Sequence, residues 1–79
     1  MKVQILGSGC TKCKTLEQKI RSLNDKHTLN LEIEKVTELN EIMKYGIMMT
    51  PGLVINGVLK SVGSIPKDEQ LLKWIKGEG

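Results

Sequence analysis

The chain's two cysteines, Cys10 and Cys13, stand where a short apolar segment gives way to a helical pattern. Residues 3–6 form the apolar segment, and residues 7–9 read Gly-Ser-Gly. Glycine lets a strand turn sharply into a helix. Positions i and i+3 of a helix share a face, so the two sulfurs can meet in a disulfide. The free N–H groups and positive dipole end of a helix start favour a thiolate over a thiol. The junction therefore predicts a cysteine pair suited to redox exchange.

Residues 11–24 have the apolar spacing of an amphipathic helix. The apolar positions recur at intervals of four and three: Leu16, Ile20 and Leu23. Cys13 extends this stripe by one turn, whereas Glu17 and Arg21 lie outside it as an i,i+4 pair of opposite charge. We expect Cys13 to point inward and Cys10, at the helix cap, to face solvent.

The rest of the chain alternates strands and helices. The pattern predicts a strand with one wet face at 29–36, a helix at 38–45, strands at 53–55 and 58–62, and a last helix starting at Pro66. Thr37 is the expected N-cap and Gly46 the expected C′ residue of the second helix. Asn56-Gly57 is a strong hairpin signal.

The predicted order is therefore β-α-β-α-β-β-α. A right-handed crossover makes the first two strands parallel, and the hairpin adds two antiparallel strands on the other side of the first. We expect an α/β fold with a four-stranded mixed sheet covered by helices on both faces. At this length we expect one domain over residues 1–79, with a frayed tail at 76–79.

Composition argues against several functional classes. The 12 basic and 9 acidic residues are interleaved, and the single arginine forms no basic cluster of the kind that binds nucleic acid. The longest apolar runs are far shorter than the roughly 20 residues that span a bilayer, and the N-terminus shows no signal-peptide pattern. We expect a cytoplasmic monomer that binds neither nucleic acid nor a membrane. Two cysteines closing so short a loop stabilise a fold little, which leaves redox or metal chemistry.

Four features together carry a resemblance to a known fold. They are the strand–Cys10-Thr11-Lys12-Cys13–helix junction, Thr50-Pro51 before a strand, the Asn56-Gly57 hairpin, and Gly63 before the last helix. Over nearly its whole length the chain resembles a minimal thioredoxin fold. It is most similar to the small thioredoxin/glutaredoxin-like redox-active disulfide proteins of archaea and bacteria. The resemblance implies a thiol–disulfide oxidoreductase with no cofactor beyond its own disulfide.

The resemblance also implies roles for individual residues. Cys10 matches the solvent-facing nucleophile and Cys13 the buried resolving cysteine. Pro51 matches a cis-proline whose loop faces the disulfide, and the backbone of Thr50 would pair there with an extended substrate chain. Gly63 matches a glycine on the rim of the substrate groove.

The implied reaction is thiol–disulfide exchange. The Cys10 thiolate attacks a substrate disulfide, and Cys13 then attacks Cys10 and releases reduced substrate. Lys12 and Thr11, which lie between the cysteines, are the expected modulators, because a positive charge at Lys12 favours the thiolate. The implied partners are protein or low-molecular-weight disulfides as substrates. A thioredoxin-reductase-like enzyme or a low-molecular-weight thiol is the implied electron donor.

The segment Ile47-Met48-Met49 leads into Thr50-Pro51 and has two interpretations. The three side chains suit an apolar docking surface near the disulfide, and core packing explains at least one of them equally well. Both interpretations stay open from the sequence.

A metal-binding module is the alternative function. Cys-x-x-Cys binds copper(I) or forms half of a zinc site, and copper-chaperone domains also place it after a first strand. Those domains end on a strand, whereas this pattern ends on a helix and contains Thr50-Pro51. Zinc would need two more ligands, and His27 alone does not supply them.

Overall fold

The computed structural model describes residues 1–7 and 9–77. The elements in chain order are β1 (Lys2–Leu6), α1 (Thr11–His27), β2 (Glu32–Val36), α2 (Leu39–Met43), β3 (Gly52–Ile55), β4 (Val58–Val62) and α3 (Asp68–Ile75). This order confirms the predicted β-α-β-α-β-β-α succession. One domain over 1–79 stays a prediction, and residues 78–79 of the expected frayed tail lie outside the described residues.

The four strands form one mixed sheet in the order β2-β1-β3-β4. β1 pairs in parallel with β2, with Val3 opposite Ile33, and antiparallel with β3, with Val3 opposite Ile55. The β3–β4 pairing shifts register between Leu53 and Val54. The mixed sheet, the interior position of β1 and the edge position of β2 are as predicted.

The Asn56-Gly57 turn closes the β3–β4 hairpin as predicted. Asn56 has φ 49° and Gly57 has φ 83°, the two left-handed residues that a tight hairpin turn of this twist requires. The Asn56 side-chain oxygen also accepts a hydrogen bond from the backbone N–H of Lys2 at 3.0 Å. Asparagine thus serves both the turn and the docking of the hairpin on β1.

Helices cover both faces of the sheet, as predicted. Alternate strand residues point to opposite faces, which separates the core into two clusters. The larger cluster packs α1 and α3 on the sheet through Val3, Ile5, Leu16, Ile20, Leu23, Leu53, Ile55, Leu71 and Ile75. The smaller cluster packs α2 and the segment after it through Leu6, Ile42, Ile47 and Val54. Among the described helices, none is long and apolar enough to cross a membrane.

α1 ends later than predicted. The polar residues after Asn24 are expected to stop the helix, but it continues to His27. Lys26 and His27 lie in its last turn, where positive charge is favourable. Thr28 then caps the helix in a left-handed conformation, φ 49°, and donates its N–H to the Asn24 carbonyl.

β2 consequently starts at Glu32, and the predicted start at residue 29 is wrong. Leu29 and Leu31 still pack against the larger core cluster. Leu31 donates its backbone N–H to the Asn24 side-chain oxygen at 2.9 Å. This segment is therefore a connection between α1 and β2 that packs against the core, and it is not a strand.

α2 is shorter than the predicted range of 38–45. Glu38 is the N-cap, because it keeps extended dihedrals (φ −72°, ψ 120°), so the prediction of Thr37 is wrong. The C-cap is Lys44. The C′ residue is therefore Tyr45, and Gly46, the predicted C′ residue, lies one position further on, in a left-handed conformation with φ 73°.

α3 begins at Asp68, so the prediction that Pro66 opens this helix is wrong. Lys67 is the N-cap and has extended dihedrals (φ −69°, ψ 155°). Asp68 and Glu69 occupy the first turn, where negative charge stabilises the positive end of the helix. Pro66 instead offers its carbonyl to Lys19 Nζ at 3.0 Å, which ties the approach to α3 onto α1.

Leu71→Ala should destabilise the fold by about 2–5 kcal/mol, because the Leu71 side chain is 0% exposed between α3 and the sheet. Leu39→Ala is the control, since Leu39 is 67% exposed, and it should change stability by less than about 0.5 kcal/mol. Urea denaturation followed by circular dichroism measures both. Equal effects of the two substitutions would contradict the assigned core.

Candidate active site

Cys10 and Cys13 lie at the N-terminus of α1 and are joined by a disulfide. Cys10 is the N-cap, with extended dihedrals, and its sulfur accepts a hydrogen bond from the Cys13 backbone N–H at 3.3 Å. Residues 11–14, all described, make the first turn of α1 and include no acidic side chain. The positive end of the helix therefore acts on the Cys10 sulfur without an opposing local charge.

The two sulfurs differ in accessibility. Cys13 is 4% exposed and belongs to the buried stripe of α1 with Leu16, whereas Cys10 is exposed. This is the orientation that the helical spacing predicts. An incoming molecule can therefore reach the sulfur of Cys10 but not that of Cys13.

Gly7 makes room for the buried cysteine. It is buried at the end of β1, and its backbone N–H continues the parallel ladder by donating to the Val36 carbonyl at 2.9 Å. A Cβ at Gly7 would overlap Cys13 Sγ and would lie 3.3 Å from Cys13 Cβ. From the sequence alone, Gly7 is expected only to let the chain turn. Its position directly between strand and cysteine pair is the one signal that could have suggested this packing role.

The Thr50–Pro51 loop lies beside the disulfide. The Thr50–Pro51 peptide bond is cis, and the Thr50 hydroxyl oxygen lies 3.9 Å from Cys10 Sγ. The Pro51 carbonyl accepts the backbone N–H of Gly63 at 2.8 Å. Gly63 has φ 70°, and a Cβ there would lie 3.1 Å from the end of the Met49 side chain. The fold thus joins Thr50, Pro51 and Gly63 into one loop cluster next to Cys10.

Thr11 and Lys12 are exposed residues in the first turn of α1. The Thr11 carbonyl accepts the Thr15 hydroxyl at 3.0 Å. Lys12 adds a positive charge at the helix end that carries Cys10. Their role as modulators stays a prediction.

The segment before Thr50 divides between core and surface. Ile47 is buried and packs with Leu6 and Val54 in the smaller core cluster. Met48 is 99% exposed and Met49 is 63% exposed. These two side chains form an exposed apolar patch that we call the Met48–Met49 surface.

The metal-binding alternative gains no further ligands. Within residues 1–7 and 9–77, no group of three or more His, Cys, Asp or Glu side chains is placed to hold a metal ion. His27 is the last residue of α1, about 26 Å along the helix from Cys10 at 1.5 Å per residue. It therefore does not join the two cysteines.

Comparison with known proteins identifies the family. A family model described as a thioredoxin domain matches residues 1–76. The chain belongs to the thioredoxin family. It is 36% identical over 73 residues to a thioredoxin of Methanothermobacter thermautotrophicus. These aligned residues cover 92% of this chain and 95% of the relative. It is also 31% identical over 74 residues to a thioredoxin of Methanocaldococcus jannaschii. The aligned residues here cover 94% of this chain and 85% of the relative.

Family membership confirms the minimal thioredoxin fold that the strand–Cys-x-x-Cys–helix junction predicts. It also confirms the predicted activity, and the chain is a thiol–disulfide oxidoreductase. The disulfide between Cys10 and Cys13 supplies the redox couple that this activity needs. Thioredoxin-family chemistry therefore takes place at the N-terminus of α1.

Gly7→Ala should destabilise the oxidised protein by about 1–3 kcal/mol, because the new methyl group overlaps Cys13 Sγ. Urea denaturation of the oxidised protein measures the loss. Gly57→Ala is the matched control, since a Cβ there meets nothing within 4 Å and only the left-handed backbone is strained. The Gly7 variant should also alter the rate at which dithiothreitol reduces the disulfide, and the Gly57 variant should not. Wild-type stability in the Gly7 variant would contradict the packing role.

Proposed function

We propose that Cys10 is the nucleophile and Cys13 the resolving cysteine in the reduction of protein disulfides. The observation that carries this proposal is the contrast between the exposed Cys10 sulfur at the helix cap and the buried Cys13 sulfur behind it. The Cys10 thiolate forms a bond to one substrate sulfur, and the other substrate sulfur leaves as a thiolate. Cys13 then bonds to Cys10, and the bond between Cys10 and the substrate breaks. The substrate leaves with two electrons gained, and the protein keeps the disulfide.

Five features favour the Cys10 thiolate in this proposal. The helix N-terminus supplies a positive dipole end. The Cys13 N–H already points at the Cys10 sulfur from 3.3 Å, and such a bond strengthens when its acceptor is charged. The Thr50 hydroxyl lies 3.9 Å from the same sulfur. Lys12 adds a positive charge in the first turn, which is the modulating role that we assign to it, and Thr11 provides a further first-turn N–H.

The loop cluster beside Cys10 is the proposed substrate site. An extended substrate chain would pair with the backbone of Thr50 and lie beside Pro51, with Gly63 on the rim of the site, in the manner of a peptide added to a strand edge. The Met48–Met49 surface would receive apolar side chains next to the substrate disulfide. Flexible thioethers suit this task because they adapt to partners of different shape.

The proposal extends to partners and setting. A thioredoxin-reductase-type enzyme or a low-molecular-weight thiol would return the disulfide to the dithiol. We place the protein in the cytoplasm, where such donors keep thiols reduced. It acts as a monomer in this proposal, because the cysteine pair and the loop cluster come from one chain. Exchange moves electrons only between sulfurs, so the reaction requires no cofactor other than the disulfide.

Cys10→Ser should reduce turnover of a disulfide-linked peptide in dithiothreitol to the background rate, because it removes the attacking sulfur. Cys13→Ser should instead accumulate a mixed disulfide with that peptide through Cys10, visible by mass spectrometry without reductant. The double variant is the control for the fold. If the two single variants trap the peptide equally, the assigned roles are wrong.

Met48→Ser should lower kcat/KM for a peptide disulfide with apolar flanking residues about fivefold, which is the equivalent of about 1 kcal/mol of lost apolar burial. The rate with a small aromatic disulfide should stay the same. Val58→Ser is the control, since Val58 is 54% exposed at the hairpin, at the opposite end of β1 from the disulfide. Equal effects at both positions would exclude the Met48–Met49 surface as the docking site.

A further inference from the structure

A row of lysine and hydroxyl side chains runs along α1 from the disulfide toward the far end of the helix. Its members recur at intervals of three and four residues: Lys12, Thr15, Lys19, Ser22 and Lys26. That spacing places them on one face of the helix, next to the buried stripe. Because Lys12 is close to Cys10 in the first turn, the row begins at the reacting sulfur.

A surface groove of about 360 Å³ follows this row, and we call it the α1–α3 groove. Side chains from α1 and from the start of α3 line it, among them Thr15, Lys19, Ser22, Lys26 and Asp68. Lys67, the N-cap of α3, lines an adjoining cavity that shares Lys19 and Asp68. The groove therefore has lysines on both of the helices that form it.

Lys19 is held in place within this groove. Its Nζ donates to the Pro66 carbonyl at 3.0 Å and lies 3.3 Å from Asp68 Oδ1, and its side chain is only 30% exposed. An ammonium group has three N–H donors, so one remains free for a further acceptor. Because the Lys19 side chain is already ordered, binding an anion there costs little side-chain entropy.

Positive charge predominates on the α1 side of the molecule. α1 carries five Lys or Arg side chains and two Asp or Glu side chains. One of these acids, Glu17, already pairs with Arg21 and Lys35. Within residues 1–7 and 9–77, Lys12 and Lys26 form no ion pair. Their charges are therefore available to a ligand.

The opposite face of the sheet, which α2 covers, has the reverse balance of charge. Acidic side chains there outnumber the basic ones: Glu32, Glu34, Glu38 and Glu41 against Lys2 and Lys44. An unequal distribution of this kind steers a charged partner toward one face. An acidic partner is therefore attracted to the α1 side and repelled from the α2 side.

We propose that the α1–α3 groove binds an acidic, extended segment of the protein whose disulfide Cys10 reduces. This inference rests on the proposed function, since the segment belongs to the same substrate. The row from Lys12 to Lys26 is about 21 Å long at 1.5 Å per residue, which an extended chain of about six residues matches. Carboxylates of that segment pair with Lys19, Lys26 and Lys67. The substrate class is thus a protein disulfide flanked by acidic residues.

The test compares two substrates that differ only in charge. Each is a peptide disulfide followed by a flexible tail, which is made of glutamate in one peptide and of glutamine in the other. kcat/KM is measured with dithiothreitol as the electron donor, and the uncatalysed rate is subtracted. The glutamate peptide should be favoured about tenfold at low salt, as electrostatic steering allows. This advantage should shrink as salt screens the charges, and equal kcat/KM values for the two peptides would overturn the proposal.

Charge reversal in the groove should remove most of this advantage. Lys26→Glu and Lys67→Glu should each lower kcat/KM for the glutamate peptide about fivefold, the effect of one exposed charge pair, and leave the glutamine peptide unchanged. The two positions lie on different helices, so a fold defect in one variant leaves the other as a test. Lys44→Glu is the matched control, because it makes the same charge change on the opposite face and should keep the advantage. Equal losses in all three variants would mean that net charge attracts the tail, and the groove assignment would be wrong.

A uridine oligonucleotide separates an acidic polypeptide from polyanions in general. No aromatic side chain is present among the described lining residues of the groove, so nothing there stacks on bases. A disulfide-free glutamate peptide should therefore inhibit turnover of the glutamate substrate more strongly than the oligonucleotide does. Equal inhibition would overturn the assignment to a polypeptide. If the wild-type protein reduces neither peptide, the proposed function itself fails, whereas equal rates with both peptides contradict only the groove.

Discussion

The close contact between the end of β1 and the start of α1 is the constraint on which the site depends. Gly7 extends the β1–β2 ladder through its hydrogen bond to Val36, and the chain reverses into α1 within three residues. Because the strand end and the helix start lie so close together, the Cys13 sulfur occupies the space that a side chain at position 7 would fill. The strand end, the helix cap and the disulfide are thus one packing unit, in which a larger residue at position 7 would displace the sulfur.

The two core clusters hold this unit in place from opposite faces of the sheet. α1 is anchored by Leu16, Ile20 and Leu23 in the larger cluster, together with α3. The smaller cluster buries Ile47 against Leu6, which fixes the start of the segment that leads to Thr50. Because Leu6 and Gly7 are neighbours in the chain, the same strand end positions both the helix that carries the cysteines and the loop that faces them.

Charge is distributed unequally around the disulfide. On the solvent side, the helix N-terminus and Lys12 act on Cys10 without an acidic residue in the first turn. On the buried side, Glu17 and Lys35 form an ion pair that joins α1 to β2. The exposed sulfur thus meets mainly positive potential, whereas the buried sulfur lies near both signs. This asymmetry suits two thiols that react in sequence.

Local rules predicted most of the fold, and their failures have physical causes. The apolar stripe placed α1, and Asn56-Gly57 placed the hairpin, because each of these signals depends on residues close together in the chain. The end of α1 was misplaced because the residues after Asn24 are polar yet remain compatible with a helix. The start of α3 was misplaced because the acidic first turn, rather than Pro66, sets it.

The sequence by itself determined the element order, the cysteine pair at a helix start, and the inward direction of Cys13, since helix and strand periodicity are local properties. Membership of the thioredoxin family agrees with these features. The packing of Gly7 on the Cys13 sulfur, the approach of Thr50 to Cys10 and the pairing of Glu17 with Lys35 were decided only by the tertiary structure. The i,i+4 spacing predicts that Glu17 pairs with Arg21 on one helix. The same spacing does not say which residue of a distant strand lies opposite Glu17. Such contacts depend on how the sheet register and the helix docking combine, and that is set by the packing of the whole core.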